Sequence, residues 1–122
     1  MKFTKLIPNI FYSDIQTGLY LFHKCLHFNI AYSELESPHP FCVLEKENLS
    51  IHLIQNDEYA RKDRPEIRLV TTDIEEAYAH IKQHEPHLLH PNLATITLRP
   101  WGAREFPLKD ESDVCVIIQQ WE

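Results

Sequence analysis

The feature that most constrains this chain is an order of elements that occurs twice. Residues 5–13 read as a strand, Asp14 can cap a helix over residues 15–26, and strand-like runs follow at residues 28–33, 41–45 and 49–55. After the polar stretch 56–65, which reads as a surface linker, the same order begins again. Residues 66–72 alternate as a strand, Asp73 can cap, residues 74–84 form a helix, and strand-like runs follow at residues 93–98, 104–108 and 114–120. Asp14-Ile15 and Asp73-Ile74 each close a strand and open a helix, about sixty residues apart. Leu19, Phe22 and Leu26 on the first helix, and Ile74, Ala77, Tyr78 and Ile81 on the second, give each helix one apolar face for a core. A duplicated βαβββ unit is the simplest account, with modules over about residues 5–56 and 65–121, and the expected class is α+β.

Composition narrows the function. A length of 122 residues with 43% apolar content suits one compact domain with a core that needs neither disulfides nor a structural metal. Gly18 and Gly102 are the only glycines, which excludes a Gly-rich phosphate loop, since such loops need several residues without a Cβ. Twelve basic against eighteen acidic residues give a net charge of −6, which argues against a nucleic-acid partner. No apolar run approaches the ~20 residues that span a bilayer, so no membrane partner is expected. The opening Met1-Lys2-Phe3-Thr4-Lys5 lacks the apolar stretch of a signal peptide. Cys25, Cys42 and Cys115 are odd in number and lack CxxC spacing, which suits buried thiols in a reducing compartment. A cytoplasmic location is expected.

Several segments resemble the glyoxalase/bleomycin resistance protein/dioxygenase (vicinal oxygen chelate) superfamily, across nearly the whole chain. They are Ile7-Pro8-Asn9-Ile10-Phe11-Tyr12-Ser13-Asp14-Ile15, the helix end from Phe22 to Phe28, Leu49-Ser50-Ile51-His52-Leu53, and Pro100-Trp101-Gly102-Ala103-Arg104-Glu105-Phe106 followed by Asp110. The segment around Trp101 most resembles the bleomycin-resistance branch. The resemblance implies paired βαβββ modules forming a curved mixed sheet around a cleft, and a homodimer. Two departures stand out. The last turn reads Asp110-Glu111-Ser112-Asp113-Val114 where the family carries a glycine, and His27 occupies the usual glycine after the first helix.

The resemblance also implies where a metal would sit in enzymes of this fold, with one ligand from the first and fourth strand of each module. Those places fall at Ile7, His52, Glu66 and Ile117. Isoleucine has no lone pair, so two of four ligands are missing and no cofactor is expected, with His52 and Glu66 left as weak candidates for a divalent metal. His52, between Ile51 and Leu53 on an alternating strand, faces away from both, as a cleft-facing or a hydrogen-bonded histidine; it is the one candidate for acid–base work, the alternative being a ligand-positioning or structural role. The resemblance implies that Trp101 lines a groove for flat heteroaromatic ligands; the alternative is a turn anchor. Asn9 and Phe11 share a strand face with Ile7, and Arg68 and Glu105 project by strand parity to the same concave side, either as ligand contacts or as an internal ion pair. The pairs His23/His27 and His80/His84 have i, i+4 spacing, but histidines at helix ends are favoured there by the dipole alone. The expected function is non-catalytic binding of a small molecule, flat or cationic, in a dimeric cleft of the bleomycin-resistance type. The alternative is a metal-dependent glyoxalase-like lyase or isomerase, or a dioxygenase, using His52 and Glu66.

Overall fold

The structure, a computed structural model, describes residues 1–62 and 65–121. The chain divides into two compact units at residues 63–64. The first contains β1 (Asn9–Tyr12), α1 (Ile15–Leu19), a π-helical turn (Tyr20–Cys25), β2 (Asn29–Glu34), β3 (Phe41–Lys46), β4 (Leu49–Gln55) and α2 (Asp57–Lys62). The second contains β5 (Glu66–Val70), α3 (Ile74–His84), a 3-10 turn (Pro86–Leu88), β6 (Thr97–Leu98), β7 (Ala103–Lys109) and β8 (Cys115–Trp121). Their four-stranded mixed sheets have matching orders, β1-β4-β3-β2 and β5-β8-β7-β6, with the first strand of each parallel to the last. The expected α+β duplication is therefore present.

The same local chemistry starts both main helices. Asp14 Oδ1 accepts the Gln16 amide at 2.9 Å and Asp73 Oδ1 accepts the Glu76 amide at 3.1 Å. A second acceptor reaches in from the end of the neighbouring strand. Gln55 Oε1 takes the Ile15 N–H at 3.0 Å, and Gln120 Oε1 takes the Ile74 N–H at 2.8 Å. Each helix thereby fixes its start to the sheet it covers. In the first unit Ile10, Tyr12, Leu44 and Leu53 meet Leu21 and Phe22 in the core. In the second, Ile74 and Ile81 lie with Phe106, Leu108 and Val116, and Tyr78 meets Phe106 edge to face at 5.2 Å.

Several boundaries differ from expectation for identifiable reasons. The first strand runs only over Asn9–Tyr12, because residues 1–8 are exposed and Pro8 has no N–H for a ladder; its carbonyl instead accepts the His52 amide at 3.0 Å. Ile7 thus lies before the strand. The first helix widens after Leu19, where Leu26 N–H reaches the Leu21 carbonyl at 3.0 Å, five residues back. His27 then takes φ 63°, the left-handed conformation that a glycine usually supplies, and His23 Nδ1–H donates to the Phe28 carbonyl at 2.6 Å. The expected linker holds α2. Asn56 Oδ1 caps it through the Tyr59 amide at 3.0 Å, and i, i+4 pairs join Arg61 to Asp57 at 2.7 Å and Lys62 to Glu58 at 3.0 Å. Helix α2 buries no residue, so the apolar stripe that marks a helix in sequence is missing. The expected strand at residues 93–98 shrinks to Thr97–Leu98. The last turn replaces the missing glycine with Asp113 at φ 62°, while buried Asp110 accepts the amides of Ser112 at 2.8 Å and Val114 at 3.1 Å.

Candidate functional site

The two sheets each have one face packed under a main helix, α1 or α3. In the second unit strand parity places Glu66 and Arg68 of β5, Glu105 and Pro107 of β7, and Cys115, Ile117 and Gln119 of β8 on the same face, away from α3. Trp101 reaches that face from the β6–β7 hairpin. Its turn is closed by the Gly102 amide on the Arg99 carbonyl at 3.0 Å, and Gly102 adopts φ 94°, which favours glycine.

Glu105 organises this face. Only 3% exposed, it receives Gln119 Nε2–H on Oε2 at 2.6 Å, the Trp101 indole N–H on the same oxygen at 3.3 Å, and Arg99 Nε–H on Oε1 at 3.4 Å. Arg68 Nε lies 3.9 Å from Oε2. Arg68 also pairs with Glu66, Nη1 to Oε1, at 2.8 Å, and Arg99 stands 5.9 Å from the Trp101 ring centroid. Behind this cluster Gln119 Oε1 accepts the Trp121 indole N–H at 3.0 Å. A carboxylate removed from water is costly unless donors replace its hydration, and here two N–H groups and two guanidiniums do so. The half-exposed Trp101 indole is held by its own N–H at the edge of a cavity of about 300 Å³, lined also by Glu66, Arg68, Arg99, Cys115 and Ile117. Burial and the nearby Glu66 carboxylate push the Cys115 thiol above its ordinary pKa.

Four sequence-designated residues, Glu66, Arg68, Trp101 and Glu105, therefore line one cavity. Asn9, Phe11 and His52 share the open face of the first sheet instead, where Asn9 is the register partner of His52 and Val43 lies opposite. There Phe11 meets Tyr59 of α2 edge to face at 5.2 Å. Arg99, Gln119 and Cys115 escaped sequence reading. Parity from Ile117 could have indicated Gln119 and Cys115, whereas Arg99 joins the cluster through a hairpin whose strand is two residues long.

Each unit carries one isoleucine among its two metal places. Ile7 and Ile117 offer no ligand, the Glu66 carboxylate is held by Arg68, and among the described residues no group of three His, Cys, Asp or Glu side chains stands where it could hold an ion. His80 and His84 lie with ring centroids 4.6 Å apart on the exposed side of α3.

Comparison with solved structures identifies the architecture. A bleomycin-binding protein from Streptomyces verticillus, solved with copper(II)-bleomycin, superposes with a TM-score of 0.74 at 16% identity, over 100% of this chain and 99% of that one. The chain has the glyoxalase/bleomycin resistance fold. TnmS3, an antibiotic-binding protein from a Streptomyces species, gives a TM-score of 0.77 at 13% identity over 100% of this chain and 99% of its own. A member of the glyoxalase/bleomycin resistance protein/dioxygenase superfamily from Sphaerobacter thermophilus gives 0.72 at 19% identity, over 97% and 98% of the two chains. No family model matches the sequence, and no curated protein matches it. No helix among the described residues is long and apolar enough to cross a membrane.

Proposed function

We propose that this chain is a non-catalytic small-molecule binding protein of the bleomycin-resistance type, which sequesters a flat ligand against the Trp101 ring. One observation carries the reading: a half-exposed indole, tied by its N–H to a buried carboxylate, stands at the wall of a cavity of about 300 Å³. That hydrogen bond restrains the ring, so its flat face is partly preorganised for stacking and less side-chain entropy is lost on binding. The bleomycin-binding and antibiotic-binding proteins of the same fold support the reading. A net charge of −6 attracts cations at long range, but within the cavity two arginines balance two glutamates. No metal or other cofactor enters this account, and three cysteines, Cys25, Cys42 and Cys115, odd in number and without CxxC spacing, favour a reducing, cytoplasmic setting.

Bleomycin and a panel of planar aromatic compounds, titrated into chelator-treated protein and followed by calorimetry, test the reading. At least one is expected to bind saturably, and Trp101→Ala is expected to weaken it about tenfold or more, the scale of a tryptophan anchor. Unchanged affinity in Trp101→Ala would remove the ring from the site.

A homodimer is part of the proposal. Strand β2 is an outer edge of its sheet, exposed along its whole length, and presents Ile30 and Tyr32 to solvent. Such edges are pairing surfaces unless blunted. Light scattering is expected to give twice the chain mass, and a monomer at micromolar concentration would contradict it.

A further inference from the structure

We propose that the cavity beside Trp101 selects a planar ligand bearing an oxyanion, a carboxylate in the simplest case, held by the outer guanidinium nitrogens of Arg68 and Arg99. This rests on the reading that the cavity binds a small molecule.

The buried acid of the cavity, Glu105, has little left to offer a ligand. Glu105 already accepts from Gln119, Trp101 and Arg99 with Arg68 nearby, and at 3% exposure a ligand ammonium would have to displace those donors to reach it. Glu66 gives Oε1 to Arg68 Nη1 and keeps Oε2, on a side chain that is half exposed. The arginines, by contrast, are only partly used. Arg99 commits its Nε, and Arg68 its Nε and Nη1, so Arg99 Nη1 and Nη2 and Arg68 Nη2 keep donors without an acceptor among the described residues. Both side chains are also accessible, at 44% for Arg68 and 32% for Arg99. The larger share of the site's unspent polar capacity is donor capacity, three guanidinium nitrogens on two positive groups against one carboxylate oxygen, Glu66 Oε2.

Position points the same way. The two guanidiniums address different oxygens of one carboxylate, so Glu105 aligns both at the same wall of the cavity. Arg99 also lies 5.9 Å from the Trp101 ring centroid. A flat ring stacked on the indole would bring a substituent at its edge to a guanidinium, whose planar fork matches a carboxylate in two parallel hydrogen bonds. Glu105 in this account is the group that positions the arginines, and the ligand's oxyanion supplies the acceptors they lack.

The test uses three probes with one ring system and different charge: naphthoate, naphthylmethylammonium and naphthalenemethanol. Each is titrated into the full chain at neutral pH and low salt, and the Trp101 indole N–H resonance is followed by NMR. Naphthoate is expected to bind about tenfold more tightly than the ammonium, the scale of one charge-assisted hydrogen bond. Arg99→Gln is expected to remove most of that advantage while changing naphthalenemethanol affinity less than about twofold. The comparison among probes needs no variant, so it stands even if Arg99→Gln fails to fold. Equal affinities for all three, or a preference for the ammonium, would overturn the oxyanion inference and leave the binding site standing. No saturable shift with any probe would overturn the site reading and this inference with it.

Discussion

Glu105→Ala is expected to lower stability by about 3 kcal/mol, or roughly 10 °C in Tm. Glu105 is 3% exposed, and its removal leaves Gln119 Nε2–H and the Trp101 N–H without their acceptor. An orphaned buried donor costs about 1–3 kcal/mol. Arg99 and Arg68 lose their counter-charge as well, but both are partly solvated, so water recovers much of that loss. Glu105→Gln keeps one acceptor oxygen and the side-chain shape, so about half the destabilisation is expected. The same variants should release the indole and weaken any ligand that stacks on it. Thermal melts of the three proteins check the order, and a Glu105→Ala melt within about 2 °C of the parent would show that the cluster contributes little.

Gly18→Val is expected to have a comparably large effect, by overpacking. Gly18 sits on α1 against the fully buried Tyr12 ring, and a Cβ there would lie within 2.8 Å of Tyr12 Cδ2 and Cζ and closer still to Cε2. Glycine in a helix interior normally costs about 1 kcal/mol relative to alanine, so Gly18→Ala at an open position would stabilise. Here the sign reverses. Forcing atoms into a packed core costs about 1–3 kcal/mol, more for valine than for alanine, so a net loss of about 1 kcal/mol is expected for Gly18→Ala and about 3 for Gly18→Val. Denaturant unfolding in the Tyr12→Ala background isolates the cause, since Gly18→Ala should become neutral or stabilising once the ring is gone. A loss that persists there would place the strain elsewhere.

How much was legible in the sequence follows from which signals are local. The duplication could be read because Asp14 and Asp73 cap their helices through residues two or three positions on, and because strands such as β1 and β3 bury alternate residues. The partners Gln55 and Gln120 could not, since each reaches a helix start at least 40 residues away in the chain. Helix α2 was hidden because it is short and carries no apolar stripe, although Asn56 ahead of Asp57-Glu58 with Arg61-Lys62 behind is the charge order that a helix dipole favours. At the site, parity placed Arg68 and Glu105 on one face, as the β5–β8–β7 register bears out. Parity could not tell that Glu105 is the buried acceptor while Arg68 stays accessible, because burial depends on the hairpin that carries Arg99 and Trp101 over it.

The most direct test of small-molecule binding at Trp101 is an NMR titration of chelator-treated protein with planar aromatic compounds, reading the Trp101 indole together with all backbone amides. The account predicts saturable shifts for the indole and for the amides of Arg68, Cys115 and Ile117 around the same cavity, with those of α2 and the outer side of α3 unmoved. Saturable shifts confined to other parts of the chain, or none with any compound, would contradict it.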